Sequence, residues 1–126
     1  MPDRVEGTSF LGPNVDRSRF APVHFGFDSV TIGAGERPKL QAVADFLLAN
    51  KKMVIVAGFT DERGTPEYNR GLGERRALSV REALMKMGVG SGQLQTVSFG
   101  AEMPADPGSS EAAWAKNRRA EFGVVR

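Results

Sequence analysis

The sequence has 126 residues and a mass of 13.6 kDa, which is enough for one small domain and excludes two independent cores. It contains no cysteine and one histidine, which excludes disulfides, zinc–thiolate clusters, cysteine nucleophiles and multi-histidine metal cages. Seventeen basic and fifteen acidic residues give a net charge of +2, too balanced to indicate a nucleic-acid binder. Composition therefore favours a binding module over an enzyme, with no catalytic residue, metal or cofactor expected.

The start of the sequence lacks the apolar stretch and small-residue cleavage site of a signal peptide. The longest apolar runs are about five residues, far below the roughly 20 that span a bilayer. We therefore expect a soluble chain, either cytoplasmic or the excised soluble part of an exported protein.

Residues 1–20 mix proline, glycine, asparagine, aspartate and arginine without apolar periodicity. This composition predicts a flexible tether, followed by one domain over residues 21–126. The domain begins with Val23, Phe25 and Phe27, which alternate with His24, Gly26 and Asp28. The period of two predicts a strand with its apolar side chains toward the core.

Two further patterns define the middle of the domain. Apolar residues at spacings of three and four between Pro38 and Asn50 predict an amphipathic helix with one buried stripe. The apolar run at 53–59 predicts a central strand buried on both faces, which favours a sheet covered by helices.

A second helix is predicted over residues 66–87. Thr65 suits the N-cap, Pro66 the first helical position, and Gly88 the left-handed position after the last turn. Gly71 and Gly73 each weaken this helix by about 1 kcal/mol relative to alanine. That cost predicts a close approach of a ligand or of neighbouring backbone.

The last third predicts a strand at 93–99, a loop rich in proline and glycine, a short helix at 111–116 and a strand at 119–125. The element order predicts an α/β (α+β) sandwich, in which two main helices pack on a four-stranded mixed sheet.

The candidate site combines Asp61 with the second helix. Asp61 follows the central strand, where α/β sheets usually place ligands. Asn69, Leu72, Arg76 and Val80 are spaced three, four and four apart and share one line on the helix. An arginine in that stripe requires an anionic partner, because an unpaired buried guanidinium costs several kcal/mol.

Two interpretations of this pair remain open. Asp61 and Arg76 form a structural salt bridge, or they flank a cleft that binds an amino-acid group. In the second case the ammonium goes to Asp61 and the carboxylate to the guanidinium of Arg76. Asn69 then donates to the same carboxylate, while Leu72 and Val80 wall the aliphatic part.

The motifs GFTDERGTPEYN at 58–69 and LGERRA at 72–77 resemble the signature of OmpA-like peptidoglycan-binding domains. The similarity extends to VHFGFDS at 23–29, VSFGAEMP at 97–104 and AWAKNRRAEF at 113–122. It covers residues 21–126 and, within the family, is greatest to the peptidoglycan-associated lipoproteins. The family usually has histidine where this chain has Phe59.

The resemblance implies that the domain binds, without cleaving it, the diaminopimelate residue of the peptidoglycan stem peptide. Asp61 and Arg76 match the family's binding aspartate and arginine. The backbone of Phe27 and Asp28 is then expected to line the pocket, and Arg118 to support it. The family positions around the ligand fall on Asn69, Leu72 and Val80.

The resemblance also implies a place in the cell. Such a domain anchors the outer membrane to the cell wall from the periplasm, through a membrane anchor upstream of this sequence, with TolB or other Tol-system proteins as further partners. Three alternatives remain: a domain that acts mainly as a protein-interaction module, the tail of a porin, and part of a flagellar stator protein.

Overall fold

The computed structural model describes residues 10–126. Within them, one mixed sheet has the strands β1 (Val15–Asp16), β2 (Val23–His24), β3 (Val54–Phe59), β4 (Leu94–Gly100) and β5 (Arg119–Val125). The helices are α1 (Arg37–Ala49), α2 (Pro66–Lys86) and α3 (Glu111–Asn117), with 3-10 turns at Ala34–Glu36 and Ser91–Gln93. No helix in this part of the chain is long and apolar enough to cross a membrane.

The strand order is β1-β5-β3-β4, and β2 also pairs with β5. β3 runs parallel to β4, and β5 runs antiparallel to β1, β2 and β3. The predicted mixed sheet packed by two main helices is confirmed, and β1 adds a fifth short strand. The register between β3 and β4 shifts between Gly58 and Phe59, at the end of the sheet that carries Asp61.

The long helix α2 begins and ends where its capping residues predict. The side chain of Thr65 accepts a hydrogen bond of 3.1 Å from the backbone N–H of Tyr68, and Pro66 opens the helix. Gly88 follows the last turn with φ at 103°, a conformation that favours glycine.

Two glycines allow α2 to lie directly on β3. A Cβ atom on Gly58 would stand 1.7 Å from the carbonyl oxygen of Gly73, and one on Gly73 would stand 2.4 Å from Oγ of Ser98. The carbonyl oxygen of Gly58 lies 2.9 Å from the same Cβ position, so neighbouring backbone also requires glycine at position 73. Gly71 has no such contact, because the nearest atom to its Cβ position is Nη1 of Arg75 at 3.5 Å.

The face of the sheet opposite α1 and α2 carries a second apolar cluster. Its buried residues are Phe10, Ile55, Ala57, Phe59 and Phe99. Phe10 is fully buried, and its ring centroid lies 5.8 Å from that of Phe99. This cluster is called the aromatic cluster below.

Part of the predicted tether therefore packs against the domain. Gly123 of β5 makes room for it, since a Cβ there would stand 2.4 Å from Cγ1 of Val15 and 2.8 Å from Cε1 of Phe10. Residues 1–9 of the predicted tether lie outside the described residues. The expectation of a flexible tether is wrong for the segment from Phe10 to Asp16, because Phe10 is fully buried and Val15–Asp16 pairs with β5.

Candidate functional site

A cavity of about 280 Å³ opens at the carboxyl end of β3. Its wall is formed by the loop after β2, the loop between β3 and α2, and the first turns of α2. The lining residues are Phe27, Asp28, Thr60, Asp61, Arg63, Gly64, Tyr68, Asn69, Leu72 and Arg76. Six of the eight predicted site residues are therefore brought together here, at the sheet edge where α/β folds usually bind ligands.

Arg76 is fully buried and is held by three backbone carbonyl groups. Its Nε donates to Ser29 O (2.9 Å), its Nη1 to Phe59 O (2.9 Å) and its Nη2 to Gly26 O (3.2 Å). A guanidinium has five N–H donors, so these three bonds leave capacity for a ligand. Burial lowers the pKa of Arg76 to about 10, against the opposing charge of Asp61, so the side chain stays protonated at neutral pH.

Asp61 is also buried, and its partners lie within its own loop and on Arg118. Its carboxylate accepts bonds from the backbone N (3.0 Å), Nε (3.1 Å) and Nη2 (2.7 Å) of Arg63. Burial alone would raise the pKa of the Asp61 carboxyl, but the hydrogen bonds and charge of Arg63 outweigh it, so the pKa is lowered. Asp61 is therefore ionised at neutral pH.

Within residues 10–126, Asp61 and Arg76 form no salt bridge with each other, and each side chain is held by other contacts. Among the ion pairs of residues 10–126, those of Asp61 are with Arg63 and Arg118. Arg76 instead uses carbonyl groups, which can stabilise a buried guanidinium without a carboxylate. Both charges thus face the same cavity without neutralising each other directly.

Arg118 lies behind Asp61 and does not line the cavity. Its Nε donates to Phe25 O (2.9 Å), and its Nη2 contacts Glu111 Oε1 (3.1 Å). Its Nη1 lies 3.7 Å from Oδ2 of Asp61 and is buried without a hydrogen bond of its own. This geometry agrees with a supporting role for Arg118, which stays a prediction.

Val80 lies in the core and not at the cavity. It is fully buried and belongs to the apolar cluster between the sheet and the helices, and the cavity does not extend past Arg76 along α2. The expectation that Val80 walls the pocket is therefore corrected. The helical spacing correctly placed Val80 on the inner face of α2, but that face continues into the core one turn beyond the site.

The loop after β2 forms the opposite rim of the cavity. β2 ends at His24, so Phe27 is 64% exposed and does not enter the core as the alternating pattern predicted. Asp28 adopts a left-handed φ of 52°, and the hydroxyl of Tyr68 donates to its Oδ1. Tyr68 thereby joins the rim to the first turn of α2.

Sequence reasoning missed Arg63 and Tyr68, together with Thr60 and Gly64. The guanidinium of Arg63 lies 4.2 Å from the ring centroid of Phe27 and 4.0 Å from that of Trp114. The available signal was the position of Arg63 two residues after Asp61, because an aspartate often accepts a bond from the backbone N–H two residues on.

Phe59 stands where the resemblance described above leads us to expect histidine, and it is not among the residues that line the cavity. It stacks on Phe99 with centroids 5.3 Å apart, and the guanidinium of Arg119 lies 3.8 Å from its centroid. Only the carbonyl of Phe59 contributes to the site, as an acceptor for Arg76. The aromatic side chain therefore belongs to the aromatic cluster.

The chemistry of the cavity suits a small zwitterion. A carboxylate and a guanidinium, each ionised at neutral pH, are combined with the apolar side chain of Leu72 and the amide of Asn69. Residues 10–126 contain no group of three histidine, aspartate or glutamate side chains placed to hold a metal ion.

Comparison with known proteins shows the family of the chain. The sequence model of the OmpA family matches residues 24–118. The chain belongs to the OmpA family. It is 48% identical over 121 residues to the peptidoglycan-associated lipoprotein of Pasteurella multocida, covering 94% of this chain and 81% of that protein. It is 50% identical over 105 residues to the lipoprotein of the same name from Haemophilus influenzae, covering 82% of this chain and 69% of that one.

Solved structures show the same fold. The crystal structure of the peptidoglycan-associated lipoprotein from Burkholderia pseudomallei superposes with a TM-score of 0.82 at 40% identity, covering 91% of this chain and 98% of that one. The C-terminal domain of Helicobacter pylori MotB gives a TM-score of 0.77 at 25% identity, covering 85% of each chain. The predicted family and its similarity to peptidoglycan-associated lipoproteins are confirmed.

Proposed function

We propose that this domain binds the diaminopimelate residue of peptidoglycan stem peptides without cleaving it, and that it thereby holds the outer membrane to the cell wall. The observation that carries the proposal is the pair of opposite charges on one cavity wall, where Asp61 and Arg76 are each held by contacts other than each other. The relatives named peptidoglycan-associated lipoprotein support the choice of ligand.

The free end of diaminopimelate is an amino-acid group, with an ammonium and a carboxylate on one carbon. Its ammonium pairs with the buried carboxylate of Asp61, and its carboxylate takes the remaining N–H donors of Arg76. The side chain of Leu72 contacts the aliphatic chain of the ligand, and Asn69 offers an amide to the carboxylate. Phe27 and Asp28 form the rim across from them.

Burial of both protein charges makes this recognition selective. A ligand that lacks the carboxylate leaves the remaining N–H donors of Arg76 desolvated without a partner, which costs about 2–5 kcal/mol at a buried charge. A ligand that lacks the ammonium gains nothing from Asp61, whose carboxylate keeps its contacts with Arg63. A plain amine, a plain carboxylate and an uncharged peptide are all disfavoured for these reasons.

The cellular location and the protein partner of the domain are also proposals. We propose, in line with the family resemblance, that the domain lies in the periplasm and is attached to the outer membrane by an anchor upstream of this sequence. A Tol-system protein such as TolB is the further partner that the resemblance implies.

Isothermal titration calorimetry with a diaminopimelate-containing muropeptide tests the proposal. Asp61→Asn preserves the shape of the side chain but removes the charge, so affinity is expected to fall by at least about 30-fold. Asp45→Asn is the matched control, because Asp45 lies exposed on α1 and pairs with Gln41 away from the cavity. Wild-type affinity in a folded Asp61→Asn variant would contradict the proposal.

A second variant tests the other half of the pair. Arg76→Lys keeps the charge but removes the fork of donors, so weaker binding is expected, together with some loss of stability because the carbonyls of Gly26, Ser29 and Phe59 lose donors. Mass spectrometry of the muropeptide after incubation with wild-type protein should return it intact, and a cleaved product would refute the non-catalytic assignment.

A further inference from the structure

In the structure, the carboxylate proposed to receive the ligand's ammonium is already occupied. The guanidinium of Arg63 contacts both oxygens of Asp61, with Nε at 3.1 Å from Oδ1 and Nη2 at 2.7 Å from Oδ2. This two-point contact is the strongest arrangement available to an arginine and a carboxylate. An incoming ammonium therefore competes with a cation that the protein itself supplies.

We infer, on the basis of the proposed function, that Arg63 is a specificity-determining residue whose guanidinium holds the ammonium position in the free protein and leaves Asp61 when an amino-acid group binds. A ligand with a carboxylate but no ammonium offers Asp61 nothing in exchange for Arg63. Only a ligand that brings its own cation displaces it. Affinity is correspondingly reduced, because binding requires the state in which Arg63 is displaced.

The loop around Asp61 permits this exchange without unfolding. The backbone N–H of Arg63 donates to Oδ1 of Asp61 at 3.0 Å, and this bond keeps the carboxylate oriented when the side chain leaves. The side chain of Arg63 is 33% exposed, so it has a path to solvent. Arg76 differs in both respects, since it is fully buried and bonded to three carbonyl groups.

The charges of two further carboxylates act on Arg63 in addition to that of Asp61. The hydrogen bond to Asp61 is the main reason that the pKa of Arg63 is raised, and the charges of Glu111 and Glu62 raise it further. Both carboxylates belong to exposed residues outside the cavity lining.

Trp114 provides a direct signal of the displacement. It is the only tryptophan in the sequence, and the guanidinium of Arg63 lies 4.0 Å from its ring. Removal of that cation changes the electrostatic environment of the indole. The fluorescence of the unmodified protein should therefore change as ligand binds, without an added label.

The test compares Arg63→Gln with Arg70→Gln in the full chain. Glutamine keeps most of the aliphatic stem and the backbone N–H that orients Asp61. Arg70→Gln is the control because it makes the same change in net charge away from the site. Arg70 lies exposed on α2, pairs with Glu102 and does not line the cavity. A diaminopimelate-containing muropeptide is titrated into each protein by calorimetry and by tryptophan emission, with thermal unfolding as the check on folding.

Arg63→Gln is expected to bind the muropeptide about three- to tenfold more tightly than wild type, and Arg70→Gln to bind as wild type does. Emission of wild type at saturation should move toward that of free Arg63→Gln. Unchanged or weaker binding by Arg63→Gln, or unchanged wild-type emission at saturation, overturns this inference and leaves the proposed function standing. Failure of the wild-type protein to bind the muropeptide overturns both this inference and the proposed function.

Discussion

The two faces of the sheet differ in how their packing relates to the binding cavity. On the helix face, α2 contacts β3 backbone to backbone at Gly58 and Gly73, and the same helix carries Arg76 to the end of the cavity. On the other face, Phe10 packs within the aromatic cluster and is not a lining residue of the cavity. We conclude that stability and ligand binding are coupled on the helix face and separable on the opposite face.

The largest expected effect separates the two faces. Phe10→Ala removes a fully buried ring from the aromatic cluster, so the free energy of unfolding should fall by about 3–5 kcal/mol, while muropeptide affinity stays unchanged. Urea unfolding and calorimetry measure the two quantities. Leu11→Ala is the control, since Leu11 is exposed and should cost less than about 1 kcal/mol. Weaker muropeptide binding by a folded Phe10→Ala variant would remove the distinction between the faces.

A smaller effect is expected from Gly73→Ala, which tests the coupling on the helix face. The added methyl meets Ser98 and the backbone of Gly58, so a loss of about 1–3 kcal/mol in unfolding free energy is expected, with weaker muropeptide binding because α2 carries Arg76.

Gly71→Ala provides the contrast in the same helix. Space is available at that position, and a gain of about 0.5–1 kcal/mol is expected. Equal effects of the two substitutions in urea unfolding would show that the backbone contact does not control the position of α2.

The smallest expected effect is the pH dependence contributed by Asp61. Its pKa in the folded protein lies below the reference value of 3.8, so its charge stabilises the fold above that value, and this contribution is lost as pH falls through the lower folded value. The difference in unfolding free energy between wild type and Asp61→Asn should therefore shrink as pH falls below about 4. A difference that stays constant with pH would show that the pair of Asp61 and Arg63 adds no stability.

Local patterns predicted the main elements well. Thr65 and Pro66 predicted the start of α2 because capping depends on residues adjacent in sequence. The apolar run at 53–59 predicted β3 because its pattern is likewise contained within a few neighbouring residues. The packing of Phe10 could not be predicted, because a lone aromatic residue among prolines and glycines has no periodicity. Its partner, the open surface at Gly123, lies more than a hundred positions along the chain.

The site was predicted in part, for equally physical reasons. Helical spacing brought Arg76 to the correct face, but the carbonyl groups that satisfy it leave no signal in the sequence. The same spacing extended the pocket wrongly to Val80, since periodicity does not mark where a cavity closes. Arg63 was not predicted because the sequence alone does not distinguish a charged loop residue that faces solvent from one that contacts Asp61.

The most direct test of the central claim changes the ligand and leaves the protein intact. Calorimetry would compare two muropeptides that differ only in the third residue of the stem, diaminopimelate in one and lysine in the other. Lysine ends in an ammonium without the adjoining carboxylate, so the buried guanidinium of Arg76 would lack its partner. We predict that the lysine stem binds at least about 30-fold more weakly. Equal affinity for the two stems would contradict recognition of an amino-acid group by Asp61 and Arg76.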